Sequence, residues 1–175
     1  MVAVASNRTA CPALELARAA GIATRAFPAR DFGGDSEARD TALAAWLGDN
    51  QVQILVLAGY DRILSAPLLR AFSGRILNLH NSLLPAFAGT MSAVEQALEY
   101  GVKLTGCTVH LVDGNSVDGG PIVLQEAVAV ADDDTPASLL QRIHEQEWQI
   151  LPRAVALLAT DGIWVEGRRV RRRPC

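Results

Sequence analysis

Apolar positions follow two periods along this chain. Short apolar runs of strand length occur at VAVAS, IATRAF, VQILVLAG and RILNL, and each is followed by a segment with apolar residues at helical spacing. VQILVLAG is apolar without alternation, as expected for a strand covered on both faces. The helical segments carry their own punctuation. CPALELARAAG has Pro12 in its first turn and Gly21 as its stop. DSEARDTALAAWLGDN places Leu43, Trp46 and Leu47 on one side, with Ser36 as the expected cap. SAPLLRAF starts at Ser65 and Pro67, and SAVEQALEYG closes on Gly101. The order then changes. TGCTVHLV and GPIVLQEAVAV are two strands joined by a turn-rich loop, which predicts a hairpin. A long helix follows, capped by Thr135 and expected to kink or divide at Pro152, and GIWVEGRRVRR predicts a terminal strand or hairpin. The expected fold is α/β: an open, mostly parallel, Rossmann-like sheet with an antiparallel strand pair near the C-terminus, in one domain over residues 1–175.

Composition narrows this only a little. With 175 residues, half of them hydrophobic, one sizeable core is within reach. A net charge of -3 gives no global signal for nucleic acid or an anionic membrane. The Arg-rich ending EGRRVRRRPC fits a solvated terminal strand, with an anionic partner as the alternative reading. No apolar run approaches the roughly 20 residues a membrane helix needs, and no charged and apolar leader opens the sequence. Cys11, Cys107 and Cys175 are isolated from one another, which fits a reducing, cytoplasmic setting and argues against a disulfide framework or a metal site.

The candidate chemistry gathers where strands end. Asn78 and His80 are two residues apart in RILNLH, so on a strand both side chains point to one side. An amide donor and an imidazole aimed at one point can hold a developing oxyanion. Asp118, in the Gly-rich turn DGNSVDGG, can reach His80 and orient its ring. Taken alone, NLH at a strand end also fits a hydrogen-bonded structural pair. His110 in TVHLV reads as a strand histidine with a satisfied ring, and His144 and Glu147 read as helix-surface groups. The loop DGNSVDGG lacks the ligand spacing of a calcium site and reads as a turn, and ASNRTA lacks the glycines of a dinucleotide-binding loop.

Together, VLAGYDRILS, NLHNSLLPAFAG, QALEYGVKLTGCTVHLVD and VDGGPIVLQ resemble the phosphoribosylglycinamide formyltransferases of purine biosynthesis, over about Val4 to Arg171. The resemblance implies transfer of a formyl group from 10-formyltetrahydrofolate to the amine of glycinamide ribonucleotide, both small molecules, without a metal, nucleic acid or membrane. It implies Asn78, His80 and Asp118 as the catalytic trio. It also implies a folate pocket from Arg62, Ile63 and Leu64, together with Asn78 and the loop Asp113, Gly114, Asn115, Ser116, Val117 and Asp118. Gly59 and Glu147 are the implied glycinamide ribonucleotide contacts, Glu147 toward the ribose hydroxyls. Asn81 replaces the family's usual Pro, Asp61 an apolar residue and Ser36 a common Arg, and the loop before Asp118 is one residue longer. The resemblance begins after the family's first strand and its Gly-rich phosphate loop. The chain is therefore expected to be N-terminally truncated relative to the family, the missing strand coming from an upstream segment, a homodimer or another chain. A formyltetrahydrofolate hydrolase and a non-catalytic folate-binding homologue are the alternative readings.

Overall fold

The computed structural model describes residues 1–173, so Cys175 lies outside the described residues. The chain divides into two compact units, one formed by residues 1–55 and 60–73 and the other by residues 56–59 and those from Gly74 onward.

The first unit holds β1 (Ala3–Ser6), α1 (Pro12–Ala19), β2 (Ala23–Ala26), a 3-10 turn (Ala29–Phe32), α2 (Ser36–Asp49) and α3 (Ala66–Ala71). β1 and β2 pair in parallel, with Ala3 opposite Ala23 and Ser6 opposite Ala26. Leu14, Phe27, Leu43, Leu47 and Leu68 are buried, and Phe27 stacks against Phe32 and meets the ring of Trp46. The cap of α2 differs from the expectation. Asp35, not Ser36, is the N-cap, and its carboxylate accepts from the backbone N–H groups of Glu37 and Ala38. Ser36 is already helical, and the acidic residue one place earlier wins because its charge also favours the helix N-terminus. Ser65 does precede α3, but its hydroxyl bonds Asp40 of α2 rather than capping its own helix.

β3 (Leu55–Leu57) begins at the last residue of that stretch and leads into the second unit, which contains β4 (Ile76–His80), α4 (Ala93–Tyr100), β5 (Leu104–Leu111), β6 (Ile122–Ala129), α5 (Pro136–Ala159), β7 (Ile163–Glu166) and β8 (Arg169–Arg172). The strand order is β3-β4-β5-β6-β8-β7. β5 and β6 form the expected hairpin, β4 lies antiparallel to β5, and β8 runs parallel to β6 and antiparallel to β7. The α/β architecture with antiparallel strands toward the C-terminal end is the one expected from the sequence. Three of the tail arginines, Arg169, Arg171 and Arg172, fall in β8.

The core of this unit lies between the sheet and α5. Leu77, Cys107, Val109, Leu124, Ile143 and Ile150 are among its buried members. Burial pushes the Cys107 thiol up to about 12, and the charge of Glu147 acts in the same direction, so Cys107 is a neutral core residue. α5 is capped as expected, Thr135 and Ser138 exchanging the bonds of a capping box. It runs unbroken through Pro152. The hydrogen bond that proline removes would have gone to Trp148, and both residues face solvent, where water can take the freed carbonyl. Among the described residues no helix is long and apolar enough to cross a membrane.

Candidate active site

The register of β4 on β5 builds the site. Asn78 stands opposite His110, and His80 opposite Thr108. Directly opposed residues share a face of the sheet, so the four side chains form one polar patch on a sheet whose other members are mostly apolar. Asp118 comes to this patch from the β5–β6 loop, with a left-handed backbone (φ 53°). Its Oδ1 accepts from Asn78 Nδ2 at 3.2 Å and lies 3.5 Å from His110 Nε2. Its Oδ2 accepts from the Gly89 backbone N–H at 2.8 Å and lies 3.5 Å from His80 Nδ1. Next to the loop, Gly120 has no room for a side chain, since a Cβ there would stand 1.8 Å from the carbonyl oxygen of Leu111.

These partners set the electrostatics. The Asp118 carboxyl is held below the usual carboxylate range, first by His110, then by the Gly89 N–H and the charge of His80, against the burial that pushes it up. His80 is 6% exposed and its Nε2 faces the Phe87 carbonyl at 2.9 Å. Both of its ring nitrogens therefore meet oxygen acceptors, and a doubly protonated ring satisfies both. His110 is engaged on both sides too, with Nδ1 3.0 Å from the Leu111 carbonyl and Nε2 3.1 Å from Asn78 Nδ2. A bare Nε2 accepts from Asn78, and a protonated one donates toward Asp118. His110 is the satisfied strand histidine expected from sequence, held by the Leu111 carbonyl on one side and by Asn78, with Asp118 close by, on the other; only the β4–β5 register places it beside Asn78.

The turn after His80 is held from below. Thr108 Oγ1 donates to the Ser82 carbonyl at 2.6 Å and accepts from the Leu84 N–H at 3.1 Å. Gln125 Nε2 donates to Thr108 Oγ1 and to the Leu84 carbonyl. Leu84–Pro85 is a cis peptide bond. Thr108→Val keeps the shape of the side chain but leaves a buried N–H and carbonyl without their partner. The expected loss is about 1–3 kcal/mol, read as a lower urea midpoint at unchanged m-value.

Leu79, between Asn78 and His80, lines a cavity of about 560 Å³ together with Ala58, Gly59, His144, Glu147, Trp148, Leu151 and Pro152. Glu147 is its buried charge (7% exposed), with His144 Nε2 3.8 Å from its carboxylate. Burial pushes the Glu147 carboxyl up, and His144 partly opposes this. The residues assigned from sequence thus fall into four groups. Asn78, His80 and Asp118 form one patch, in which Asn78 is hydrogen-bonded to Asp118 and His80 faces the same carboxylate at 3.5 Å. Gly59 and Glu147 share the cavity. Arg62, Ile63 and Leu64 belong to the first unit, where Arg62 lies 3.5 Å from Asp61, Ile63 is exposed and Leu64 is buried. Asp61 itself accepts from Asn7 at 2.7 Å and from Arg8 at 2.8 Å, which accounts for a charge at a position where an apolar residue was expected. In the loop, Asp113 accepts from the N–H and the side chain of Asn115, while Gly114, Asn115, Ser116 and Val117 are exposed.

The family model described as formyl transferase matches residues 1–155. The chain is 44% identical over 96% of its length to a phosphoribosylglycinamide formyltransferase of Mycobacterium tuberculosis, covering 76% of that protein. It is 45% identical over 91% of its length to the trifunctional purine biosynthetic protein adenosine-3 of Homo sapiens, and spans only 16% of that protein's length. Among solved structures, glycinamide ribonucleotide transformylase 1 from Symbiobacterium toebii superposes with a TM-score of 0.94 at 45% identity, over 98% of this chain and 80% of that one.

Proposed function

The chain belongs to the formyl transferase family, and from that premise we propose that it transfers the formyl group of 10-formyltetrahydrofolate to the amine of glycinamide ribonucleotide, in the cytoplasm. The observation that carries this reading is the carboxylate of Asp118, bonded to Asn78 and facing His80 at the end of β4. The amine nitrogen attacks the formyl carbon, and the carbonyl becomes a tetrahedral oxyanion. The Asn78 amide and the His80 ring supply a donor and a positive charge beside it, and Asp118 holds both in place. On collapse the bond from carbon to the folate nitrogen breaks. The proton lost by the amine ends on that nitrogen, so the products are the formamide and tetrahydrofolate and no net proton is released.

Glu147 supports the choice of acceptor. A buried carboxylate on a mostly apolar wall suits the two hydroxyls of a ribose, each of which can donate to it. Arg62, Ile63, Leu64 and the loop from Asp113 to Asp118 are assigned to the folate. Glu147→Gln is expected to raise KM for glycinamide ribonucleotide about tenfold, the loss of one charge-assisted hydrogen bond of roughly 1.5 kcal/mol, with a smaller change in kcat. Steady-state kinetics with the ribonucleotide varied read the split.

The deciding assay follows consumption of 10-formyltetrahydrofolate with and without glycinamide ribonucleotide. Formation of the formylated amide in step with folate release is the expected result. Release at the same rate without the amine would instead identify a hydrolase.

A further inference from the structure

The cavity wall carries one feature that the proposed reaction leaves unused. His144 lies one turn before Glu147 on α5, with Nε2 3.8 Å from the carboxylate, and its ring is stacked on Trp148 at 24° and 6.3 Å between centroids. Stacking fixes the ring on the side of the helix that Glu147 shares. Among the described residues no hydrogen-bond donor from the protein reaches the Glu147 carboxylate, so this imidazole is its nearest partner. The other surroundings are neutral. Ala58, Gly59 and Leu79 also line the cavity. Cys107 on β5 is kept protonated, the buried side of α4 is Ala93, Val94 and Ala97, and Glu126 on β6 is paired with Arg153 at 3.4 Å.

We propose that His144 is a positioning residue that keeps Glu147 ionised in mildly acidic solution, and so keeps the cavity able to take a hydroxyl-rich substrate such as a ribose. The idea rests on the reading of Glu147 as the ribose acceptor. An opposite charge beside a carboxylate favours its ionised form, and an imidazole is the side chain able to carry that charge in mildly acidic solution. A proton on His144, at 3.8 Å, therefore counters the burial that pushes Glu147 up. His144 is 42% exposed at its side chain, so solvent screens the pair and the effect is modest.

Carboxyl-carbon NMR on glutamate-labelled protein tests this, with the Glu147 signal assigned through Glu147→Gln. Removing the charge in His144→Ala or His144→Gln is expected to raise the Glu147 midpoint by about 0.3–0.7 pH, equivalent to a two- to fivefold change in the ionisation constant. His144→Lys should restore the parental midpoint or move it lower. In parallel, the ratio of KM for glycinamide ribonucleotide at pH 5.5 to that at pH 8 should rise about two- to fivefold in His144→Ala. Equal midpoints in the parent, Ala and Lys proteins would overturn the proposal. The titration uses free protein, so it stands apart from turnover. Normal titration shifts without transfer to the ribonucleotide would overturn the substrate reading, whereas unchanged midpoints with intact transfer would overturn this one.

Discussion

Asp118→Asn is expected to lower kcat for formyl transfer about 10²–10⁴-fold, the range associated with losing a positioned group in proton transfer. The substitution keeps the volume and removes the charge. The present carboxylate accepts on both oxygens, from Asn78 and from the Gly89 N–H, and lies within 3.5 Å of a nitrogen of His80 and of His110. An amide offers one oxygen, so either Asn78 or Gly89 is left facing an N–H₂ group. Loss of the charge also removes what balances a cationic His80. Single-turnover measurement with saturating ribonucleotide isolates the chemical step, and circular dichroism checks the fold. A kcat within a factor of three of the parent would sink the assignment of this carboxylate.

Acid sensitivity follows from two carboxyls, Asp118 and Glu147, with opposite signs. The folded value of Asp118 is depressed, so its contribution to stability is present above its unfolded value and is lost only as pH falls through the lower folded value. The folded value of Glu147 is raised, so its ionised form costs stability above the unfolded value and that cost is relieved as pH falls through the folded one. On acidification the cavity should therefore lose its charge before the trio does, and KM for the ribonucleotide should rise before kcat falls.

Asp40→Ala is expected to destabilise the first unit by about 3–5 kcal/mol, the usual result of removing one partner from a buried ion pair. Asp40 is fully buried, and Arg39 is 4% exposed. Arg39 Nε donates to Asp40 Oδ1 at 2.8 Å. Its Nη2 is equally close but lacks a well-aligned hydrogen bond, so on that side the attraction is Coulombic. The other oxygen accepts both the N–H and the hydroxyl of Ser65, at 2.7 and 2.8 Å. The Ala variant strands a buried guanidinium and frees Ser65, the residue that follows Arg62, Ile63 and Leu64, so on the folate assignment proposed for that segment folate affinity should fall with stability. Trp46 on α2 reports this unit once Trp148 and Trp164 are replaced by Phe. An unchanged urea midpoint would show that the pair is dispensable. Arg39→Met combined with Asp40→Ala should recover part of the loss, because the uncompensated charge is then gone.

The parts of the molecule that read directly from the sequence are those governed by neighbours in the chain. The β5–β6 hairpin follows from two apolar runs with a turn-rich loop between them, and Asn78 and His80 follow from the two-residue period of a strand. Asp118 needed a family pattern as well, because a turn aspartate has no local mark of function. The place of His110 beside Asn78 was not legible, because it depends on which residue faces it across β4 and β5, and local sequence does not encode that pairing. The α2 cap was misplaced by one residue, since Asp35 and Ser36 are both good caps and the choice lies in the charge at the helix end. Pro152 was given too much weight. A proline on the wet side of a helix loses one bond to water, and the 24-residue helix passes through it.

Two of the groups that hold the trio are main-chain atoms of a single loop. The Phe87 carbonyl faces His80, and the Gly89 N–H bonds Asp118. A main-chain carbonyl is present whatever codon is read, and only proline removes an N–H, so selection has little means of deleting these groups one at a time. An inhibitor that grips residues 87–89 and shifts them by about an ångström would turn His80 and Asp118 away from the task proposed for them. Escape by point mutation would then have to reshape the loop, at some cost to the enzyme the mutation is meant to rescue.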